Sequence, residues 1–438
     1  LTFNMESTVI SEAGIRLPID SQDRRPLNIK ATNSLVTLID STFISSEDGT
    51  EDRIVNIHST AETLIMDNCS MQVPPGDPDG DGLDARARFG LYIDSGGSFE
   101  KNVILRDTSL RGNVHEVSIG KGNPGNIIME RCDFTCTGTW KAFQLWEMVQ
   151  GTHTISDSTF HATDADGEAL FWQQNYGSTA TFTNCFFSGG DKAFRLRQNN
   201  TGQTQHLSFS GCHFSGSDMG VSHTDGNETN TTMVFNGCTF DQNTDAFRIE
   251  YAGVAFDIQD CTFSSNGWDI HQVAGGNEYQ LEGSTFLNTT GDSILLSSGT
   301  SNLDATNCTF FGPGESCIRL ESGAGMVGSL NYNIFSQWGS GSFALELEGI
   351  GIASENFNVF VDTNNVQQDF LDLLLICTRE GGSRFGSRLI ECFCDPPGNL
   401  TLVSDGLAGN IDGAGNHAGS QSIGCEMVSS ASLWSEYR

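Results

Sequence analysis

One phrase returns through most of this chain at a steady interval. An apolar stretch runs into Asn, Asp or Gly, then a small residue or Cys, then one more residue, and ends on Phe. Full copies end at Phe43, Phe187, Phe214, Phe240, Phe263, Phe286 and Phe310; weaker ones end at Met71, Leu110, Phe134 and Phe160, and remnants at Phe335 and Phe360. Successive final residues lie 28, 39, 24, 26, 27, 27, 26, 23, 23, 24, 25 and 25 apart. Apolar runs this short at a period this regular cannot each bury their own core. They must stack on their neighbours, which is the condition for a solenoid.

The segment Thr232 to Gly253 shows what one period contains. Met233 and Phe235 alternate with Val234, as a short strand requires. Asn236-Gly237 supplies a bend, and the same column holds Asp40, Asn68, Asp157, Asn184, Gly211, Asp260, Gly283 and Asn307. These residue types accept positive φ, so the column predicts a repeated left-handed corner. Cys238 and Phe240 then point inward on a second strand, and Phe247 and Ile249 inward on a third. Three strands per turn predict an all-β, right-handed parallel β-helix solenoid of about 13 rungs. Leucine-rich repeats share the period but lack this phrase, and propeller blades are longer. The expected organisation is an N-terminal cap over 1–34, the coil over 35–365, and a Cys-containing C-terminal capping or assembly segment over 366–438.

Composition narrows the partners. The formal charge is −33, from 55 acidic against 22 basic residues, which excludes a nucleic-acid backbone or an anionic membrane as the main partner. No apolar run is long enough for a membrane span. The start at Leu1 suggests a processed chain, and acidity, fold and cysteines together predict an extracellular or cell-surface location. N-x-S/T sequons stand at Asn68, Asn199, Asn227, Asn230, Asn288, Asn307 and Asn399. Those at Asn68 and Asn307 arise from the repeat phrase, leaving Asn199, Asn227, Asn230, Asn288 and Asn399 as glycosylation candidates.

Cys69, Cys132, Cys185, Cys212, Cys238, Cys261 and Cys308 share one repeat position with Ser41, Ser158 and Ser284. Inward thiols stacked a turn apart predict a ladder of small, nearly apolar core fillers rather than disulfides. Four further cysteines, Cys377, Cys392, Cys394 and Cys425, follow the repeats, where disulfides are plausible outside the cell.

Near the C-terminus, Cys394-Asp-Pro-Pro-Gly-Asn-Leu-Thr-Leu402, Gly409-Asn-Ile-Asp-Gly-Ala-Gly-Asn416 and Ser422-Ile-Gly-Cys-Glu426 resemble the closing segment of bacterial right-handed parallel β-helix repeat surface proteins, which have the pectin-lyase-like fold. Phe360-Val361-Asp362 is similar to a further phrase of that family. The chain departs from the pattern at Asn410, which follows no small-Pro-Ala run, and at Cys425, where the family commonly has Ala. The resemblance implies the fold and secretion; it says little about activity.

Three sets of candidate site residues follow. Asp77, Asp79 and Asp81 have the D-x-D-x-D-G spacing of a calcium loop, with Arg88 at the twelfth position and Asp84 available to complete the shell. The third strand recurs at 141–146, 168–172, 192–197, 246–250, 268–273 and 317–321. Its expected outward residues form a ribbon of Gln144, Trp146, Phe171, Arg195, Arg197, His223, Asp225, Arg248, Glu250, His271, Arg319 and Glu321. Aromatic, cationic and carboxylate groups on a flat face suit polysaccharide, with Trp146, Phe171, Arg195, Arg248 and Arg319 the expected contacts; paired surface charges are the plainer explanation. An enzyme of this fold would be a polysaccharide lyase, using Arg195, Arg197, His223 or His271, or a glycoside hydrolase, using two of Asp225, Asp245, Glu250 and Asp269. Asn243-Thr244-Asp245 is similar to one polygalacturonase phrase, but Gly267-Trp268-Asp269 replaces the next and no Gly-His-Gly occurs. The sequence therefore favours a structural or adhesive surface protein, and a subunit of an extracellular filament or layer, self-associating through its end segments, is one form of that reading. The alternative is a lyase or hydrolase.

Overall fold

The computed structural model describes residues 2–6, 9–10, 27–30, 34–44, 53–58, 61–72, 89–94, 101–112, 115–122, 125–198, 202–226, 230–321, 325–336, 338, 344–347, 352–356 and 359–361. They form a right-handed parallel β-solenoid without helices. The C-terminal segment expected over 366–438 and the calcium loop expected over 77–84 lie outside the described residues. Two compact units divide the chain, Leu1–Met233 and Val234–Arg438.

In the first unit each of three parallel sheets gains one strand per turn. The first sheet runs from Thr2–Glu6 to Gln205–Ser210, the second from Val9–Ile10 to His213–Ser215, and the third from Leu27–Lys30 to Met219–Gly226. Residues 1–34, expected as a cap, thus contribute a strand to every sheet; Thr2–Glu6 pairs in parallel with Ser34–Ile39. In the second unit the strands follow the same cycle, those of the second kind from Thr239–Asp241 to Val359–Val361 and those of the third from Asp245–Ile249 to Leu345–Leu347.

The repeat phrase maps onto the second sheet in perfect register. Phe43, Met71, Leu110, Phe134, Phe160, Phe187 and Phe214 are consecutive partners in the first unit. Phe240, Phe263, Phe286, Phe310, Phe335 and Phe360 are consecutive partners in the second. The rings stack: Phe187 and Phe214 lie 4.8 Å apart at 12°, and Phe286 and Phe310 4.6 Å apart at 4°. Strand spacing of about 4.8 Å is close to the offset-stacking distance of aromatic rings, so a Phe on every turn packs without adjusting the backbone.

The corner before this strand is left-handed throughout. Asp40, Asn68, Asp157, Asn184, Asp260 and Asn307 have φ of 48–55°, and Gly211, Gly237 and Gly283 have φ of 60–61°. Arg131 (φ 53°) takes the same conformation, where its guanidinium grips Asp107 of the preceding turn through two hydrogen bonds of 2.7 and 2.8 Å.

The Cys column is buried and its described members form no disulfide, but it is more than filler. Each side chain donates to the carbonyl two residues back: Cys69 to Asp67 O, Cys308 to Thr306 O and Ser158 to Ser156 O. The same side chains accept the backbone N–H of the corner one turn earlier. Cys132 N–H donates to Ser158 Oγ (3.0 Å), Cys238 N–H to Cys261 Sγ (3.4 Å), and Cys261 N–H to Ser284 Oγ (3.1 Å). A buried N–H needs such a partner, so the position selects side chains that both give and accept. Ser158→Ala is expected to cost about 1–3 kcal/mol by orphaning the Cys132 amide, with Ser158→Cys nearer to wild type; urea denaturation of both variants measures the difference.

One interior group makes stability depend on pH. His153 points inward, edge-on to Trp172 at 5.3 Å, and neither ring nitrogen has a hydrogen-bond partner. Burial pulls its pKa down to about 3, against about 6.5 in an unfolded chain. Between those values the unfolded chain binds a proton that the folded chain refuses, so stability falls as pH drops from about 6.5 toward 3. The group's full contribution is about 3–5 kcal/mol. Replacing His153 with Leu should flatten that part of the stability–pH curve, measured by denaturant midpoints at stepped pH.

Candidate functional site

The outer face of the third sheet carries the ribbon, but its columns are not spaced by simple alternation. Where the chain rounds the corner into this sheet, two consecutive residues turn inward. Lys141, Ala142, Phe143, Gln144 and Leu145 run half-buried, buried, buried, half-buried, buried, and Trp268 to Gln272 repeat that pattern. One outward column is therefore Lys141, Glu168 and Lys192 in the first unit, with Asp245 and Trp268 as its counterpart in the second. The next column is Ser118, Gln144, Phe171, Arg195 and Ser222, with Arg248, His271, Leu295, Arg319 and Glu346 as its counterpart. Trp268, Lys141 and Glu168 were not expected in the site. A charged residue directly before a buried Ala, as at Lys141-Ala142, Glu168-Ala169, Lys192-Ala193 and Asp245-Ala246, is the signal that marks their column.

In the first unit, Trp146 lies over Gly120 on the preceding turn, where no side chain could fit beneath the indole. Its Nε1–H donates to Ser118 Oγ at 3.2 Å. Beside it, Gln144 Nε2 donates to Gln173 Oε1 at 2.9 Å, and Arg197 is the register neighbour of Gln173. Arg195 and Lys141 both cover the Phe171 ring, at 4.5 and 5.1 Å from its centre, and both pair with Glu168. Phe171 is 4% exposed, so its ring is an internal support for two cations rather than an open platform. Burial holds the Lys141 ammonium below the ordinary lysine range, with Glu168 acting in the opposite direction.

His223 does not join the ribbon. His223 directly follows Ser222, the register partner of outward Arg195, so it falls on the inward side, where it is 1% exposed. The pairing of Lys192–Gln198 with Met219–Gly226 then slips by one residue between Arg195 and Arg197, and beyond such a slip alternation runs in the opposite phase. Asp225 remains opposite Arg197 by backbone register.

The second unit gathers four of the expected residues. Arg248 donates to Asp245 (3.1 Å) and to Glu250 (3.2 Å). His271 Nδ1 lies 3.1 Å from Asp245 Oδ1 and 3.1 Å from Arg248 Nη1, and the Trp268 ring sits 5.2 Å from the imidazole. With its proton on Nδ1 the imidazole donates to Asp245, leaving Nε2 as an acceptor; with the proton on Nε2, Nδ1 accepts from Arg248. The Trp268 indole packs against Gly291, where a Cβ would come within 2.7 Å of Nε1. Further along, Arg319 pairs with Glu321 (3.4 Å) and Glu346 (3.9 Å). Burial pushes the Asp292 carboxyl up to about 6; its Oδ1 accepts the Ser316 N–H at 2.8 Å.

Two residues expected from the hydrolase reading prove to be structural. Asp269 is wholly buried on the inward side, bonded by Asn266 and Thr289, and burial pushes its pKa up to about 7. It cannot share a glycosidic bond with Asp245. The Asn243 that begins the polygalacturonase-like phrase is also structural: its N–H donates to Asn266 Oδ1 at 3.0 Å inside the corner. Among the described residues no group of three or more His, Cys, Asp or Glu could hold a metal. Asn230 and Asn288 are exposed, Asn230 donating to Thr204 Oγ1, while Asn199, Asn227 and Asn399 lie outside the described residues.

The family described as the right handed beta helix region matches residues 147–286 and 198–366, together half of the chain. The chain belongs to this family. No curated protein matches it. Among solved structures it is similar to PfbA, a surface adhesin of Streptococcus pneumoniae, with a TM-score of 0.32 and 10% identity over 75% of this chain and 86% of that one. It is also similar to a mannuronic acid specific polysaccharide family 6 lyase from human gut microbiota, with a TM-score of 0.34 and 8% identity over 85% of this chain and 89% of that one. Likeness this distant decides nothing about activity. Among the described residues no helix is long and apolar enough to cross a membrane.

Proposed function

We propose that this β-helix is an extracellular or surface-displayed structural or adhesive protein that contacts carbohydrate through the outer face of its third sheet. The observation that carries this reading is Trp146 spread over Gly120 beside the Gln144–Gln173 pair. A sugar ring stacks on an indole face while neighbouring amides take its hydroxyls. Lys141 and, two turns later, Lys192, Arg195 and Arg197 offset the acidity of the chain along this face, so a glycan bearing carboxylates is not repelled from it. Calcium at Asp77, Asp79, Asp81 and Asp84, and self-association through 1–34 and 366–438, belong to the same proposal and rest on sequence. Glycan-array binding followed by calorimetry is the test. Trp146→Ala should weaken the best glycan about tenfold or more, and Gly120→Ala should do the same by displacing the indole. Unchanged affinity in both variants would overturn the reading.

A second reading, a polysaccharide lyase or hydrolase, is favoured by the His271–Asp245 contact, which orients an imidazole as a general base is oriented. Incubation with uronate-containing and neutral glycans should then release products, and His271→Ala should reduce the rate about a hundredfold or more. Absence of products from the whole panel eliminates this reading and leaves the binding proposal standing.

A further inference from the structure

The inward Cys/Ser/Thr column contains two places where cysteine follows cysteine on the next turn within one unit. Phe187 is in register with Phe214 and Phe240 with Phe263, so Cys185 faces Cys212 and Cys238 faces Cys261 two residues earlier on each turn. Both members of each pair are buried in the same inward column, and across the second pair the Cys238 N–H donates to Cys261 Sγ at 3.4 Å. Cys69, Cys132 and Cys308 differ in having Ser, Thr or Asn as their column neighbours: Ser41 and Thr108 for Cys69, Thr108 and Ser158 for Cys132, Ser284 and Asn333 for Cys308.

From this arrangement we infer that Cys185–Cys212 and Cys238–Cys261 are two oxidisable dithiols, closed by peroxide into cross-links between adjacent turns. In-register neighbours hold their Cα atoms about 4.8 Å apart, inside the range disulfides use, while their Cβ atoms must draw in toward about 3.8 Å. The bond is therefore possible but strained, and strained disulfides are the readily reduced ones. The sulfur of Cys185 attacks one oxygen of hydrogen peroxide, the O–O bond breaks, and water leaves with the thiol proton to give a sulfenic acid. The sulfur of Cys212 attacks that sulfenic sulfur, the S–S bond forms, and a second water leaves. The two thiols supply the two electrons that reduce the peroxide. The hydrogen bond from Cys212 lowers the pKa of Cys185 against the effect of burial, which suits Cys185 to the first attack. All four cysteines are about 1% exposed, so the oxidant must be as small as peroxide.

The experiment treats the full chain in its folded state with hydrogen peroxide, alkylates it in denaturant without reductant, and maps the peptides. The expected result is two cross-links, 185–212 and 238–261, both lost on adding dithiothreitol, with Cys69, Cys132 and Cys308 recovered as alkylated thiols. Cys185→Ser should leave Cys212 alkylated while 238–261 still forms. Serine already fills this column at Ser41, Ser158 and Ser284 with the same bond to the carbonyl two residues back, so the variant keeps the corner intact. Recovery of the four cysteines as free thiols, as sulfinic acids, or joined to other cysteines would overturn the inference, and the wild-type map alone decides it.

Discussion

Corner after corner of this coil leaves a backbone N–H pointing into an interior that excludes water, and at seven described corners a side chain one turn later accepts it. Cys132 is met by Ser158, Met148 by Asn175, Asn243 by Asn266, Val254 by Asn277 and Cys308 by Asn333. The acceptor then donates back to a carbonyl of the earlier turn, as Asn175 does to Leu145, Asn266 to Phe240 and Asn333 to Ala305. An Asn side chain copies a peptide unit, so it continues the strand ladder where the strand itself bends away. An unmet amide costs roughly 1–3 kcal/mol in such surroundings, and the cost recurs at every turn. The aromatic stacks depend on this solution, because ring spacing is set by the turns that the corners hold in register.

That dependence explains which parts of the structure could be read from residues alone. The Phe column and the Asn/Asp/Gly corner are single-residue requirements: a ring that must stack and a φ that must be positive. Both repeat with the period and both appear where expected. The Cys column was placed correctly but its role was underestimated, because nothing in Cys or Ser by itself reveals that a backbone amide from another turn needs an acceptor. Buried Asn243 shows the same difficulty in a sharper form. Its resemblance to a catalytic phrase came from composition at three positions, whereas its bond to Asn266 comes from stacking.

The outer face was legible only in part, for two geometric reasons. Entry into the third sheet puts two inward residues in succession, so alternation places Arg248 and His271 correctly yet overlooks Trp268 and assigns to the surface an Asp269 that is buried. The slip opposite Leu196 is local to one pair of strands and has no counterpart in the period, so His223 and Asp225, two residues apart, cannot both be given the same face by alternation. Charge pairing is a third effect. Arg195, Arg248 and Arg319 do lie on the outer face, but each faces a carboxylate on its own or a neighbouring turn.

Those pairs limit what the face can do. A cation already satisfied by Glu168 or Asp245 gains little from exchanging that partner for a ligand carboxylate, since breaking a half-buried pair exposes the abandoned charge to the same loss. Groups that engage a ligand without first being released are more useful, and the Trp146 indole face and the amides of Gln144 and Gln173 are of this kind. The ion pairs then act chiefly to keep long side chains flat against the sheet, with Phe171 beneath Arg195 as the clearest case. A flat, pre-ordered surface loses little freedom when an extended chain is laid along it. The same in-register stacking that makes corners find an acceptor therefore also produces a repeating, pre-ordered face, on which the proposed contact with a repeating polymer would need little rearrangement.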